Sequence, residues 1–269
     1  MASRVVGDDG AVARVVTTRR ALLGLAALAT TGLVAGCAGS ADPSPSVSTG
    51  SGQRAHRQPG TQLVAEPVAM HQPIKRVRDL RSDVPDNAVA LTLDDGPQAT
   101  WTPRMLEMLR EFEVTATFFM IGAQVHGNQK LVASVYDAGH SIGNHTMHHP
   151  LSLSGSAPNI IVRELTDASN AIFDATGAAP RLFRSPGGFW SKTVLRAAAD
   201  GGMLPVDWAV DSKDWSRPGT DAIAARLLVA KAGDVMLCHD GGGDRGETLD
   251  ALKTVIPQLK DRGLTFVGL

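Results

Sequence analysis

Two adjacent carboxylates, Asp94 and Asp95, close the apolar run Leu91-Thr92-Leu93 and are followed by Gly96-Pro97, a turn that stops a strand. Like charges this close need a cation or a shared proton to coexist, unless they are simply an acidic turn bonded to backbone donors. The segment Asn144-His145-Thr146-Met147-His148-His149-Pro150 holds three of the chain's eight histidines. In a helical turn His145 would share a face with His149, four residues on, or with His148, three on; spacing does not choose between them. Two histidines and one carboxylate, with positions left open, form a recurring site for a catalytic divalent metal. Arg184-Ser185-Pro186-Gly187-Gly188 places a fixed cation before backbone that carries no side chain at two positions and so can approach a ligand closely. Asp211-Ser212-Lys213-Asp214-Trp215 joins two carboxylates to an aromatic, and Val235-Met236-Leu237-Cys238-His239 delivers a histidine at the end of an apolar run. Each segment alone suits a turn or a satisfied polar cluster. Together they describe acid–base chemistry beside a metal.

These residues need a scaffold that brings them to one place. Beyond Pro85, short apolar runs alternate with amphipathic ones. Strands are expected at 89–93, 115–121, 140–144, 182–184, 204–209, 235–238 and 264–267. Helices are expected at 102–112, 129–138, 159–176, 191–200, 221–231 and 248–262. No internal repeat interrupts the alternation. This pattern predicts an α/β fold with a largely parallel sheet, as a closed or partly closed barrel of seven or eight strands, with an open doubly wound sheet as the alternative. In either, ligands sit at the carboxyl ends of the strands, where the polar segments fall.

Composition narrows the function. Lys plus Arg total 26 against 27 Asp plus Glu, a formal charge of -1, which offers no footprint for a phosphate backbone and argues against nucleic acid as a partner. Two cysteines, Cys37 and Cys238, are too few for a disulfide scaffold or a cysteine zinc site. Residues 1–37 read as an export signal: Arg19-Arg20 precede an apolar run too short to span a bilayer. The twin arginine resembles a twin-arginine export signal, and Leu33-Val34-Ala35-Gly36-Cys37 looks like a bacterial lipobox with Cys37 as the lipidated residue. A plain signal peptide with an incidental cysteine is the simpler alternative. Residues 38–62, rich in Ser, Pro, Gly and Gln, read as a flexible tether, 63–86 as a lead-in, and 87–269 as the globular domain. The expectation is a cell-envelope lipoprotein anchored on the outer face of the cytoplasmic membrane. Cys238 sits between Leu237 and His239, so strand alternation should turn it away from the site as a small buried hydrophobe. No pattern suggests a protein partner.

In order and spacing, the five polar segments resemble the motifs of the polysaccharide deacetylase family, carbohydrate esterase family 4, or NodB homology domain. The resemblance covers about residues 87 to 269. It implies a distorted (β/α) barrel and one divalent metal, zinc in first place with cobalt, iron or manganese as alternatives, held by Asp95, His145 and His149. The family pattern selects His149 over His148. Asp94 would be the general base for an attacking water at the metal, paired with Arg184, and His239 the general acid, oriented and charged by Asp211. Trp215 and Leu237 would wall the acetyl pocket. Two departures stand out: Leu93 where the family often has Phe, and Gly187 where many members have Tyr. Glycine keeps the backbone N–H that the family directs at the oxyanion but loses a groove wall, which Trp190 is expected to supply. The implied activity is removal of N-acetyl groups from an extracellular glycan, peptidoglycan or chitin-like. An O-acetyl xylan esterase, a catalytically weak carbohydrate-binding lipoprotein and an amidohydrolase for a small non-sugar amide are the alternatives.

Overall fold

The computed structural model describes residues 71–269; the export signal, Cys37 and the tether lie outside them. In chain order the elements are α1 (Val77–Leu80), β1 (Ala88–Asp94), α2 (Thr102–Glu111), β2 (Thr117–Met120), α3 (Gly122–His126), α4 (Gln129–Asp137), β3 (Ser141–Asn144) and α5 (Pro158–Thr176). They continue with β4 (Leu182–Phe183), α6 (Lys192–Asp200), β5 (Leu204–Pro205), β6 (Val210–Asp211), α7 (Thr220–Leu227), β7 (Val235–His239), α8 (Gly246–Asp261) and β8 (Thr265–Phe266). The ends follow local chemistry: α5 starts on Pro158, whose missing N–H costs nothing there, and stops at Gly177 in the left-handed region (φ 71°).

Every strand pair is parallel, in the order β5-β4-β3-β2-β1-β7-β6, with β8 beside the start of β1. The sheet curls into a partly closed barrel surrounded by helices, as the alternation predicts. Strand alternation sorts its residues into two cores. Val89, Leu91 and Leu93 of β1, Phe118 and Met120 of β2, and Met236 and Cys238 of β7 pack outward with the buried faces of α2, α4, α7 and α8. Ala88 and Ala90, Phe119 and Val235 point inward and form a smaller core with Ile74, Val77, Leu80, Val84 and Leu269. The inward row of β1 therefore reads Ala88, Ala90, Thr92, Asp94, turning from apolar at the barrel floor to ionisable at its mouth.

Besides the short elements α1, α3 and β6, which the sequence pattern does not announce, two segments differ from the sequence expectation. The run at 204–209 is not one strand: after Pro205 the chain leaves the ladder, and the Val206 and Asp207 carbonyls accept bonds from Arg184 at 3.3 and 3.2 Å. The lead-in is part of the fold from Ile74 onward, which bridges Val206 in parallel register and bonds to Pro205 and Asp207. Ile74, Val77 and Leu80 are fully or nearly fully buried, so this segment closes the inner core that the short β5 and β6 leave incomplete.

Candidate active site

The β1–β7 register pairs Asp94 with His239, so two ionisable side chains end adjacent strands on the same inward face. Asp94 is buried and its Oδ1 accepts a 2.7 Å bond from Arg184 Nη1. That guanidinium is wholly buried, stands 4.1 Å over the Phe119 ring, and also donates to Thr92 Oγ1 at 2.7 Å. Thr92 in turn donates to the Met236 carbonyl at 2.7 Å. Phe119 fits below the arginine because Gly143 has no side chain; a Cβ there would stand 2.5 Å from the ring. With the Val206 and Asp207 carbonyls, four of the arginine's five N–H donors meet an acceptor and its face meets a ring, the condition under which a buried charge is tolerated.

Asp95, in a left-handed conformation (φ 71°), swings away from Asp94 toward the histidines. Its Oδ1 lies 3.2 Å from His149 Nε2 and 3.5 Å from His145 Nε2, and ligand atoms of the three residues all fall within 4.8 Å of one another. His145 and His149 do not share a helical turn. They belong to an irregular loop after β3 in which Thr146 (φ 67°) and His149 (φ 57°) are left-handed, and their rings meet at 4.9 Å. His145 Nδ1 is engaged by the Arg184 carbonyl at 2.8 Å, which leaves Nε2 facing Asp95. Asp95 Oδ1 is buried without a hydrogen-bond partner among the described residues. An orphaned carboxylate oxygen converging with two imidazole nitrogens fits a divalent metal. Burial opposes ionisation of Asp95, but the imidazoles of His145, His239 and His149 outweigh it and hold the carboxyl well below the usual range; burial and His145 depress His149. Both shifts favour the protonation states that bind metal. His148 turns elsewhere: its N–H and Nδ1 each meet the buried Glu164 carboxylate of α5 at 2.8 Å, which anchors the loop carrying the other two histidines.

The partner of His239 is Asp214, not Asp211. Asp214 Oδ1 lies 2.6 Å from His239 Nδ1, its Oδ2 accepts the His239 N–H at 2.8 Å, and Thr248 Oγ1 donates to the same oxygen at 2.9 Å. Asp211 is in register with Leu237, two residues short of His239, and its Oδ1 caps the Lys213 N–H at 2.8 Å. Only a residue on the turn beyond β6 reaches the end of β7. Burial works against the charged imidazole, but Asp214 more than compensates and raises the His239 pKa; burial likewise opposes ionisation of Asp214, and His239 lowers its pKa. Arg245, also buried, donates to the Asp214 carbonyl at 3.3 Å.

Gly187 follows Arg184 at the barrel mouth in a left-handed turn (φ 63°) closed by the amides of Gly188 and Phe189, not by its own. Leu237 is buried on the inward row of β7 between Val235 and His239, and Trp215, beside Asp214, is 58% exposed. Trp190 is half-buried and packs against the cluster of Leu153, Leu165 and Phe183, edge-on to Phe183 at 5.7 Å. Phe189 is exposed. Cys238 lies on the helix side of β7, away from the site, where burial pushes its thiol well up.

The comparisons agree with this fold. Residues 81–206 match the family model described as polysaccharide deacetylase. A peptidoglycan-N-acetylglucosamine deacetylase of Bacillus cereus is 42% identical over 69% of this chain and 88% of its own length. A chitooligosaccharide deacetylase of Sinorhizobium fredii is 40% identical over 70% of this chain and 93% of its own. Among solved structures, a family 4 carbohydrate esterase from Streptomyces lividans, in complex with acetate, superposes with TM-score 0.64 at 33% identity, covering 68% of this chain and 93% of that one. The chain belongs to the polysaccharide deacetylase family, carbohydrate esterase family 4, and is a deacetylase of that family.

Proposed function

We propose that the chain hydrolyses N-acetyl groups on a polymer of N-acetylglucosamine in the cell envelope, with peptidoglycan the favoured substrate and chitin-type oligomers the second. The observation that carries the reading is the register of β1 against β7, which sets Asp94 beside His239 within reach of the Asp95–His145–His149 cluster. An N-acetyl amide is a poor electrophile with a poor leaving group, so both ends need help. Asp95, His145 and His149 would hold the metal, zinc by the match of two nitrogens and a carboxylate oxygen, and that ion lowers the pKa of water and polarises the carbonyl.

The chain's own groups do the rest. Asp94, its charge held in place by Arg184, takes a proton from the attacking water as the new carbon–oxygen bond forms. The Gly187 N–H is the donor assigned to the oxygen that gains charge. His239, kept protonated by Asp214, gives its Nε2 proton to the amine nitrogen as the carbon–nitrogen bond breaks, releasing acetate and the free amine. Leu237 and Trp215 line the space for the acetyl methyl. The envelope location is supported by Arg19-Arg20, the apolar run and Leu33-Val34-Ala35-Gly36-Cys37, with Cys37 as the lipid-bearing residue.

The test is acetate release by residues 71–269 from peptidoglycan, chitin oligomers and acetylated xylan, before and after chelation and with zinc restored. Zinc-dependent release from the amino-sugar polymers, weak or absent on xylan, is expected. Release confined to xylan, or release that chelation leaves intact, overturns the reading.

A further inference from the structure

The space beside the backbone of Gly187 is filled from elsewhere in this chain. A Cβ at Gly187 would stand 2.8 Å from Phe189 Cε2 and 3.3 Å from Leu151 Cδ2, so the two side chains occupy the space into which a residue-187 side chain would grow. Both are unusually open for their type, Phe189 at 52% and Leu151 at 59% exposed. Isolated exposed apolar residues need no explanation. These two come from different loops, after β3 and β4, and meet beside the catalytic mouth. Leu151 is two residues past His149, and Phe189 is two past Gly187. The Phe189 backbone is fixed as well: its carbonyl accepts a 2.6 Å bond from the buried Ser185 Oγ, and its half-buried neighbour Trp190 packs against the Phe183 cluster. An aromatic and an aliphatic side chain held at a polar mouth, exposed among the described residues, suit a ligand with one apolar face and a polar rim. A pyranose ring is such a ligand, since its axial C–H bonds present an apolar face while its hydroxyls lie around the edge.

We propose that Phe189 and Leu151 form the ledge on which a sugar ring of the glycan stacks, replacing the missing side chain at position 187. The inference rests on the glycan reading above and names the residues that fix how the polymer lies. Phe189→Ala should raise KM for longer chitin-type oligomers by about fivefold to tenfold, with kcat falling less than about twofold, because a stacking contact of this size is lost in binding. Leu151→Ala should act in the same direction and more weakly, and Phe189→Tyr should restore the wild-type KM. The dissociation constant of the fully deacetylated oligomer, measured by calorimetry on the zinc-loaded protein, should rise in parallel. Phe173→Ala, an equally exposed ring on α5, should change neither quantity. If the wild type releases acetate while Phe189→Ala leaves KM and the dissociation constant within about twofold, the ledge is wrong and the glycan reading stands. If no substrate is turned over but the oligomer still binds and Phe189→Ala weakens it, the deacetylation reading falls and the ledge stands. No oligomer binding by the wild type overturns the ledge.

Discussion

The two halves of the site are built to different standards of completeness. Asp94 and His239 are each gripped by a buried partner, Arg184 and Asp214, and those partners are themselves bonded to Thr92, Thr248 and nearby carbonyls. Across a few ångströms, Asp95 keeps a buried oxygen with no hydrogen-bond partner among the described residues, and His149 is partly open to solvent. The first half is finished by folding. The second has its geometry set by folding but its valences left for something else. The groups that move protons must hold one orientation through the reaction, whereas the groups that bind an ion are satisfied only once the ion arrives.

That contrast can be broken in order of effect. Asp94→Asn removes a proton acceptor from the finished half and should lower kcat about 10²–10⁴-fold, while zinc affinity measured by calorimetry stays close to wild type. Loss of zinc binding in that variant would show that the two halves are not separable. Arg184→Met strips the charge from a buried pair and should cost about 3–5 kcal/mol in urea unfolding. His149→Ala, in the open half, should abolish tight zinc binding yet shift metal-free stability by only about 0.5 kcal/mol; equal costs for the two would erase the distinction.

Asp214→Asn should reduce kcat about 10²-fold and move the alkaline limb of kcat/KM to lower pH, whereas Asp211→Asn should stay within about threefold of wild type. The sign follows from the shifts. His239 is raised above 6.5, so its acid form persists past that pH and is lost as pH climbs through the raised value. Asp214 is lowered below 3.8, so the pair's contribution to stability is complete between 3.8 and 6.5, fades as pH falls through the Asp214 value, and fades again as pH rises through that of His239. An unmoved limb in Asp214→Asn would assign that limb to another group. The smallest effect is expected at Glu164→Gln, which loosens the histidine loop from behind and should weaken zinc about tenfold without touching the ion.

Much of this was legible before any coordinates. Asp94, Asp95, Arg184 and His239 all end apolar runs, and strand ends in a parallel sheet converge, so composition at those ends already named the mouth. The inward and outward rows of β1 and β7 likewise follow from alternation, which is why Cys238 could be placed on the helix side. What could not be read depends on pairing between strands far apart in sequence. Choosing Asp214 over Asp211 requires knowing that Asp211 aligns with Leu237 and stops short of His239. The orientations of Phe189 and Trp190 turn on two consecutive left-handed residues, Gly187 and Gly188, whose conformation no side-chain pattern announces. Glu164 looks like one more surface acid on an amphipathic helix until α5 is seen to lie behind the histidine loop. The lead-in carries too few apolar residues to announce that it completes a core.

The alignment of Asp94 with His239 has a further consequence for how errors are excluded. A slip of one residue between β1 and β7 would not merely separate a base from an acid. If β1 turned over with it, Leu91 and Leu93 would face the barrel lumen and Asp94 the helices. Such a chain would leave apolar surface unburied and a charge stranded, and it would not persist long enough to be a poor enzyme. Mistakes in the alignment of the two reactive groups are thus filtered at the stage of folding, and the same leucines that hold the barrel together proofread the position of its chemistry.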